Sequence, residues 1–155
     1  MKTQTLFAKP GPLTKPTGAT ATAAFVVGGL LVIWLSYIHL HLWQDGYRHI
    51  ATIGPLFLLQ SIVGLVIGLA IIAGRRVWLA AAGMGFALAT MAGFLISVEH
   101  GLFGFMDSWS APFAGLAFTL DIVITAVLGL AAVMCIMSTA RNHSAPAVPE
   151  AAVAR

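Results

Sequence analysis

Charge is scarce in this chain. Only 8% of its 155 residues are Asp, Glu, Lys or Arg, against about 25% in ordinary soluble domains. Apolar residues reach 59%, and a chain of this length cannot hide that much apolar surface from water. A soluble globule is therefore excluded, and lipid is left as the solvent. Cysteine is nearly missing too. The lone Cys135 excludes an intrachain disulfide and a thiolate metal cluster, and it reads as a small buried hydrophobe. No phosphate loop, dinucleotide fingerprint or nucleophile elbow is present, so nothing points to nucleotide chemistry or serine catalysis. The net charge of +3 comes without a basic stripe or an aromatic-interleaved basic patch, which argues against nucleic acid as a partner. The amino-terminal segment carries Lys2, Lys9, Lys15, Pro10, Pro12 and Pro16 and no apolar core of its own, unlike a signal peptide.

What is present is four long apolar stretches, predicted to be helical spans over about 22–42, 53–73, 77–98 and 113–137. Each has the roughly 20 residues needed to cross a hydrocarbon core of about 30 Å. Backbone groups in lipid must bond within their own segment, so the stretches are expected to be helices. The expected fold is all-α, an antiparallel four-helix transmembrane bundle in a polytopic membrane protein. Residues 1–21 and 138–155 are expected to be disordered tails. Asp45-Gly46 ends the first span, Gly54-Pro55 opens the second, and Gly74-Arg75-Arg76 is a very short turn between the second and third.

Basic residues set the expected orientation. Lys2, Lys9, Lys15, Arg75, Arg76, Arg141 and Arg155 fall on one side of the spans and only Arg48 on the other. The positive-inside rule then puts both termini in the cytoplasm. Trp43, Tyr47 and Trp109 would mark the outer interface and Trp78 the inner one.

Small residues at four-residue intervals predict where helices approach closely. They are Gly64 and Gly68 in the second span, Ala81, Gly85, Ala89, Gly93 and Ser97 in the third, and Ala117, Asp121, Thr125 and Gly129 in the fourth. Such rows drift by about 40° per step, so each is a slanting ridge. Gln60 extends the row of the second span, and Gly28, Val32, Ser36 and His39 share a face of the first.

Polar residues gather at the outer end. Asp121, about 12 Å into the fourth span, would cost about 2.5–3.5 kcal/mol to insert and so needs a partner, a cavity or a proton. Gln60, His39 and Arg48 are the expected partners. A proton or ligand site is one reading of this group, and a helix-joining hydrogen bond is the other. His39 and His100 sit at depths suited to bis-imidazole haem ligation, and His41, Glu99 or Asp107 could complete a zinc or copper set. Against this, His39 and His41 point about 200° apart on one helix, and absence of any cofactor is the leading expectation. Asp45 and Arg48 are expected to form a local ion pair. Asp45, Tyr47, His49, Glu99 and Asp107 form a polar outer surface suited to contact with lipid, a membrane protein partner or another copy of the chain.

The run His39-Leu40-His41-Leu42-Trp43, Gly46-Tyr47-Arg48-His49-Ile50 and Thr52-Ile53-Gly54-Pro55-Leu56-Phe57-Leu58-Leu59 resembles a group of small four-helix membrane proteins of actinobacterial type. Gly101-Leu102-Phe103-Gly104-Phe105 resembles its second mark. Many members of that group have proline where Ala51 stands and glutamate near Asp107 or Asp121. The resemblance implies a protein of the bacterial cytoplasmic membrane and supplies no activity. At the level of fold the chain also looks broadly like the DoxX-type redox-accessory family. Two functions follow as expectations. The first is a small non-enzymatic accessory or interaction subunit. The second is a redox or proton-linked component, or a small transporter, using the outer histidines and Asp121.

Overall fold

The computed structural model describes residues 18–144, with side chains through residue 138. The predicted tails at 1–17 and 145–155 lie outside the described residues. Four helices run in order: α1 Ala19–Gln44, α2 Ile53–Gly74, α3 Val77–His100 and α4 Ala114–Ser144, with a single 3-10 turn at Tyr47–His49 after α1. All four are long and apolar enough to cross a membrane, and the described residues contain no strand beyond one isolated bridge between Leu102 and Phe105. The architecture is an all-α four-helix bundle of a multi-pass membrane protein. Two boundaries differ from expectation. The first helix begins at Ala19, with the Thr22 hydroxyl and backbone N–H both bonding Gly18 O. The fourth continues to Ser144, because no breaker interrupts 138–144 before Pro146.

The exterior confirms the solvent. Leu59, Val66, Leu69, Leu130 and Val133 are exposed along the shafts, and no helix has an apolar face set against a polar one. Burial therefore cannot be driven by hydrophobic contrast, and packing has to come from close contact between helices. Neighbours pack in the ring order α1, α2, α3, α4, with α2 and α3 touching less than the other adjacent pairs.

The α1–α2 seam closes where Gly29 and Gly68 meet. Gly28 gives the same access to Leu128 of α4. Gly64 lies against Ser36 and the Phe86 ring, where an added methyl would come within 2.7 Å of the ring. These contacts agree with the glycine row expected in α2 and the shared face expected in α1. The row expected in α3 needs correction. Of the expected row Ser97 is buried, but Ala81, Gly85 and Ala89 are exposed, and Ala80, Gly83 and Ala87 are the other small residues buried there. The buried face advances by three then four residues, so a strict four-residue ridge slides off it towards lipid.

Connections are tight. Only Arg75 and Arg76 separate α2 from α3, with Arg75 in the left-handed region at φ 48°. An antiparallel bundle of four puts these arginines at the end where α1 starts and α4 finishes, with Arg48 at the opposite end. Thr52, at φ 65° and ψ −47°, forms a γ-turn in which Ile53 N–H donates to Ala51 O at 2.7 Å. Gly54 then tucks beneath the 3-10 turn, where an added methyl would lie 2.8 Å from the carbonyl oxygens of both Tyr47 and Arg48.

Candidate functional site

α2 and α3 touch least of the adjacent pairs, and the half of the bundle at the Arg48 end, called the outer half after the expected orientation, is hollow. A cavity of about 340 Å³ lies among the outer halves of the helices, within the range of roughly 300–1,000 Å³ typical of small-molecule sites. Its floor is Phe86, Val63 and the Gln60–Thr90 pair, and its roof is the loop at 101–113 with Tyr47. The walls are mostly aliphatic and aromatic, including Phe57, Phe94 and Phe118.

Ser97 holds the roof. Its hydroxyl donates to Phe105 O at 3.2 Å and accepts from Asp107 N–H at 3.2 Å. The loop itself turns through Phe103 and Gly104, at φ 51° and 80°, with paired backbone bonds between Leu102 and Phe105. Positive φ at both central residues is the type I′ hairpin arrangement. Tyr47 stacks on Phe57 at 4.5 Å and meets Phe105 edge-on at 5.7 Å. On the other side Phe94, Trp109 and Phe118 pack edge to face. Desolvation raises the Tyr47 phenol above its ordinary value, and the nearby Asp107 charge adds to the rise. Desolvation also lifts the Asp107 carboxyl, which the Ser108 N–H partly offsets.

Three of the residues predicted for the proton or ligand site share this cavity. His39, Gln60 and Asp121 all line it. His39 donates from Nδ1 to Leu35 O at 2.9 Å, since a carbonyl can only accept, and its ring leans on Phe57 at 5.3 Å. Gln60 bonds Thr90, whose hydroxyl donates to Phe86 O at 3.0 Å. Asp121 is 1% exposed, and among the described residues its Oδ1 is the buried side-chain polar atom with no hydrogen-bond partner. None of the partners expected for Asp121 bonds it, so the helix-joining hydrogen bond does not form. Gln60 is engaged with Thr90, His39 with the backbone, and Arg48 is exposed and donates from Nε to His49 Nε2 at 3.0 Å.

The remaining candidates lie elsewhere. His100 is exposed at the end of α3 and does not join His39 in the cavity. Among the described residues no three His, Cys, Asp or Glu gather as metal ligands would. Asp45 does not pair with Arg48. It pairs with His41 Nε2 at 3.2 Å across one helical turn, since both sit on α1 or its cap while Arg48 has turned away with the 3-10 segment. His41 also packs against Tyr37 and Phe113. Of the expected outer surface, Tyr47 and Asp107 line the cavity, and Asp45, His49 and Glu99 are exposed. Sequence reasoning missed Thr90. An isolated hydroxyl in an apolar span was the available signal. The cavity aromatics gave none, because a phenylalanine facing lipid reads the same as one facing a void.

Comparison with family models, with curated proteins and with solved structures finds no match to the chain. The class rests on the fold alone, a multi-pass four-helix membrane protein with a cavity in one half of its bundle.

Proposed function

We propose that this chain is a small accessory protein of the bacterial cytoplasmic membrane, both termini cytoplasmic, that binds a small and largely apolar molecule in its outer-half cavity. The single observation that carries the reading is the cavity itself, apolar in its walls and holding a buried carboxyl oxygen that no protein group satisfies. A bundle built only for structure gains nothing from leaving such a group unpaired. The orientation follows from the basic residues, and the actinobacterial-type resemblance supports the choice of membrane. Asp45, His49 and Glu99, exposed at the outer end, supply the surface for a partner.

The test uses two glycines. Gly93 lines the cavity and Gly85 does not, and an added methyl meets nothing within 4 Å at either. Protein extracted in mild detergent is expected to retain a small molecule by native mass spectrometry. Gly93→Leu should lose it and Gly85→Leu should keep it. Equal retention by both variants, or none in the parent protein, argues against the reading.

A second reading is favoured by Asp121 specifically, namely a proton-linked or solute-linked step through its carboxyl. Asp121→Asn should then alter uptake or pH response in whole cells while the protein still accumulates folded in the membrane.

A further inference from the structure

The polar groups of the cavity are biased towards accepting hydrogen bonds. Thr90 has one hydroxyl proton, and it goes to Phe86 O. Gln60 must therefore be the donor in its bond to Thr90, which fixes the amide and leaves Oε1 unengaged together with one N–H. The His39 ring has placed its Nδ1 proton on Leu35 O, leaving the lone pair of Nε2. The Ser97 hydroxyl is used in both directions by the roof. Asp121 adds a carboxyl whose Oδ1 is unpartnered and buried. Three acceptors thus remain against a single N–H among the groups below the roof.

Charge points the same way. No lysine or arginine lines the cavity, so the Asp121 carboxylate has no counter-charge from the protein. A buried carboxylate needs one or must take a proton. The same cavity is lined by Phe57, Phe94 and Phe118, and aromatic rings attract ammonium groups. Access is lateral. Leu59 and Val63 of α2 and Ala89 of α3 line the cavity and are also exposed on the shaft, so the space reaches the lipid-facing surface between the two helices that touch least.

We infer that the cavity is a site for a lipid-soluble amine, with its nitrogen against Asp121, His39 and Gln60 and its apolar body among the aromatic side chains. The inference rests on the cavity being a binding site. An ammonium head meeting the carboxylate, or a neutral amine taking the proton of the carboxylic acid, ends in the same ion pair, so atoms and charge balance by either route. Entry from the bilayer suits a molecule that partitions there first.

The experiment uses two photoreactive probes in phosphatidylcholine vesicles containing the full chain. One is an alkyl amine with a diazirine in its chain, and the other is the matched alcohol. Cross-links are located by peptide mass spectrometry. The amine is expected to label Phe57, Phe94 or Phe118 about tenfold more than the alcohol does, the difference a charge-assisted bond makes. Asp121→Asn, close in shape, should lower amine labelling there by about tenfold and leave alcohol labelling unchanged. Equal labelling by the two probes, or amine labelling unaffected by Asp121→Asn, overturns the amine assignment and leaves the cavity as a binding site. Labelling by either probe confined to lipid-facing positions such as Leu130 overturns the binding site as well. The ratio of the two probes on the parent protein decides the matter even if the variant does not fold.

Discussion

Gly29 and Gly68 face each other across the α1–α2 seam so closely that a methyl on either would lie 2.8 Å from the carbonyl oxygen of the other. Helices whose outer faces are as apolar as their inner ones gain no hydrophobic energy by meeting. The seam depends on this approach, because dispersion falls off steeply with distance. Gly68→Leu is expected to lower stability by about 1–3 kcal/mol, as overpacking does elsewhere. Gly85→Leu, at an exposed position with open space, should be neutral. Unfolding in mixed detergent micelles checks the pair, and equal effects would show that the seam tolerates separation.

Asp121 offers a trade between stability and binding. A buried oxygen without a partner destabilises the folded bundle by about 1–3 kcal/mol. Asp121→Leu removes that term and directs an apolar side chain into the cavity, so the variant should be more stable by a similar amount and should bind no ligand. The same unfolding assay measures the first effect and native mass spectrometry the second. A less stable Asp121→Leu would mean that the carboxyl holds helices together through a contact absent here.

The outer loop should respond to pH through Tyr47 and Asp107. Burial raises the Asp107 carboxyl, so the folded loop binds a proton more readily than the unfolded chain does. With the folded value above the unfolded one, the destabilising effect of ionisation is absent in acid. It develops as pH rises from about 4, the ordinary carboxylate value, through the raised one. Stability should fall over that window in the parent protein, and the fall should be smaller in Asp107→Asn. The group is partly exposed, which keeps the effect small.

Tyr47 gives an independent check on the same contact. Its phenol is raised first by burial and then by the Asp107 charge. The chain has two tyrosines, so Tyr37→Phe leaves Tyr47 as the lone phenol to titrate. In that background Asp107→Asn should lower the Tyr47 midpoint without returning it to the ordinary value of about 10. An unchanged midpoint, read from phenolate absorbance, would place Asp107 away from the ring.

Gly54 tests the fit of the 3-10 turn on α2. Backbone carbonyls of Tyr47 and Arg48 occupy the space a side chain would need, and backbone yields less readily than the tip of a side chain. Gly54→Ala should destabilise by about 1–3 kcal/mol and loosen the Tyr47–Phe57 stack that closes one side of the cavity. Unchanged Tyr47 titration together with unchanged stability would contradict it.

Much of the fold was legible because lipid imposes it. The four spans were each placed within a few residues at most ends, since an apolar stretch about 20 residues long has one backbone solution in a bilayer. Gly64, Gly68 and the face of Gly28, Val32, Ser36 and His39 were legible because close approach requires small residues at fixed spacing. The α3 row was not, because a ridge read at four-residue spacing drifts around the helix and several small residues there face lipid. His39, Gln60 and Asp121 were legible as a group because polar residues in lipid are few. Their separation from Arg48 and His100 was not legible, since loop direction and the point where a helix ends are set by contacts with other elements.

The amino-acid sequence by itself determined that the chain is four apolar helices, with basic residues weighted to one end and ionisable ones to the other. Length and transfer energy decide those things residue by residue, with no reference to neighbours. Only the tertiary structure decided that α2 and α3 touch least and leave a cavity at one end of the bundle, that Thr90 orients Gln60, and that Asp121 has an unpartnered oxygen beside a void. Cavities and donor directions are properties of several helices at once, and they arise from the angles at which small residues let those helices cross.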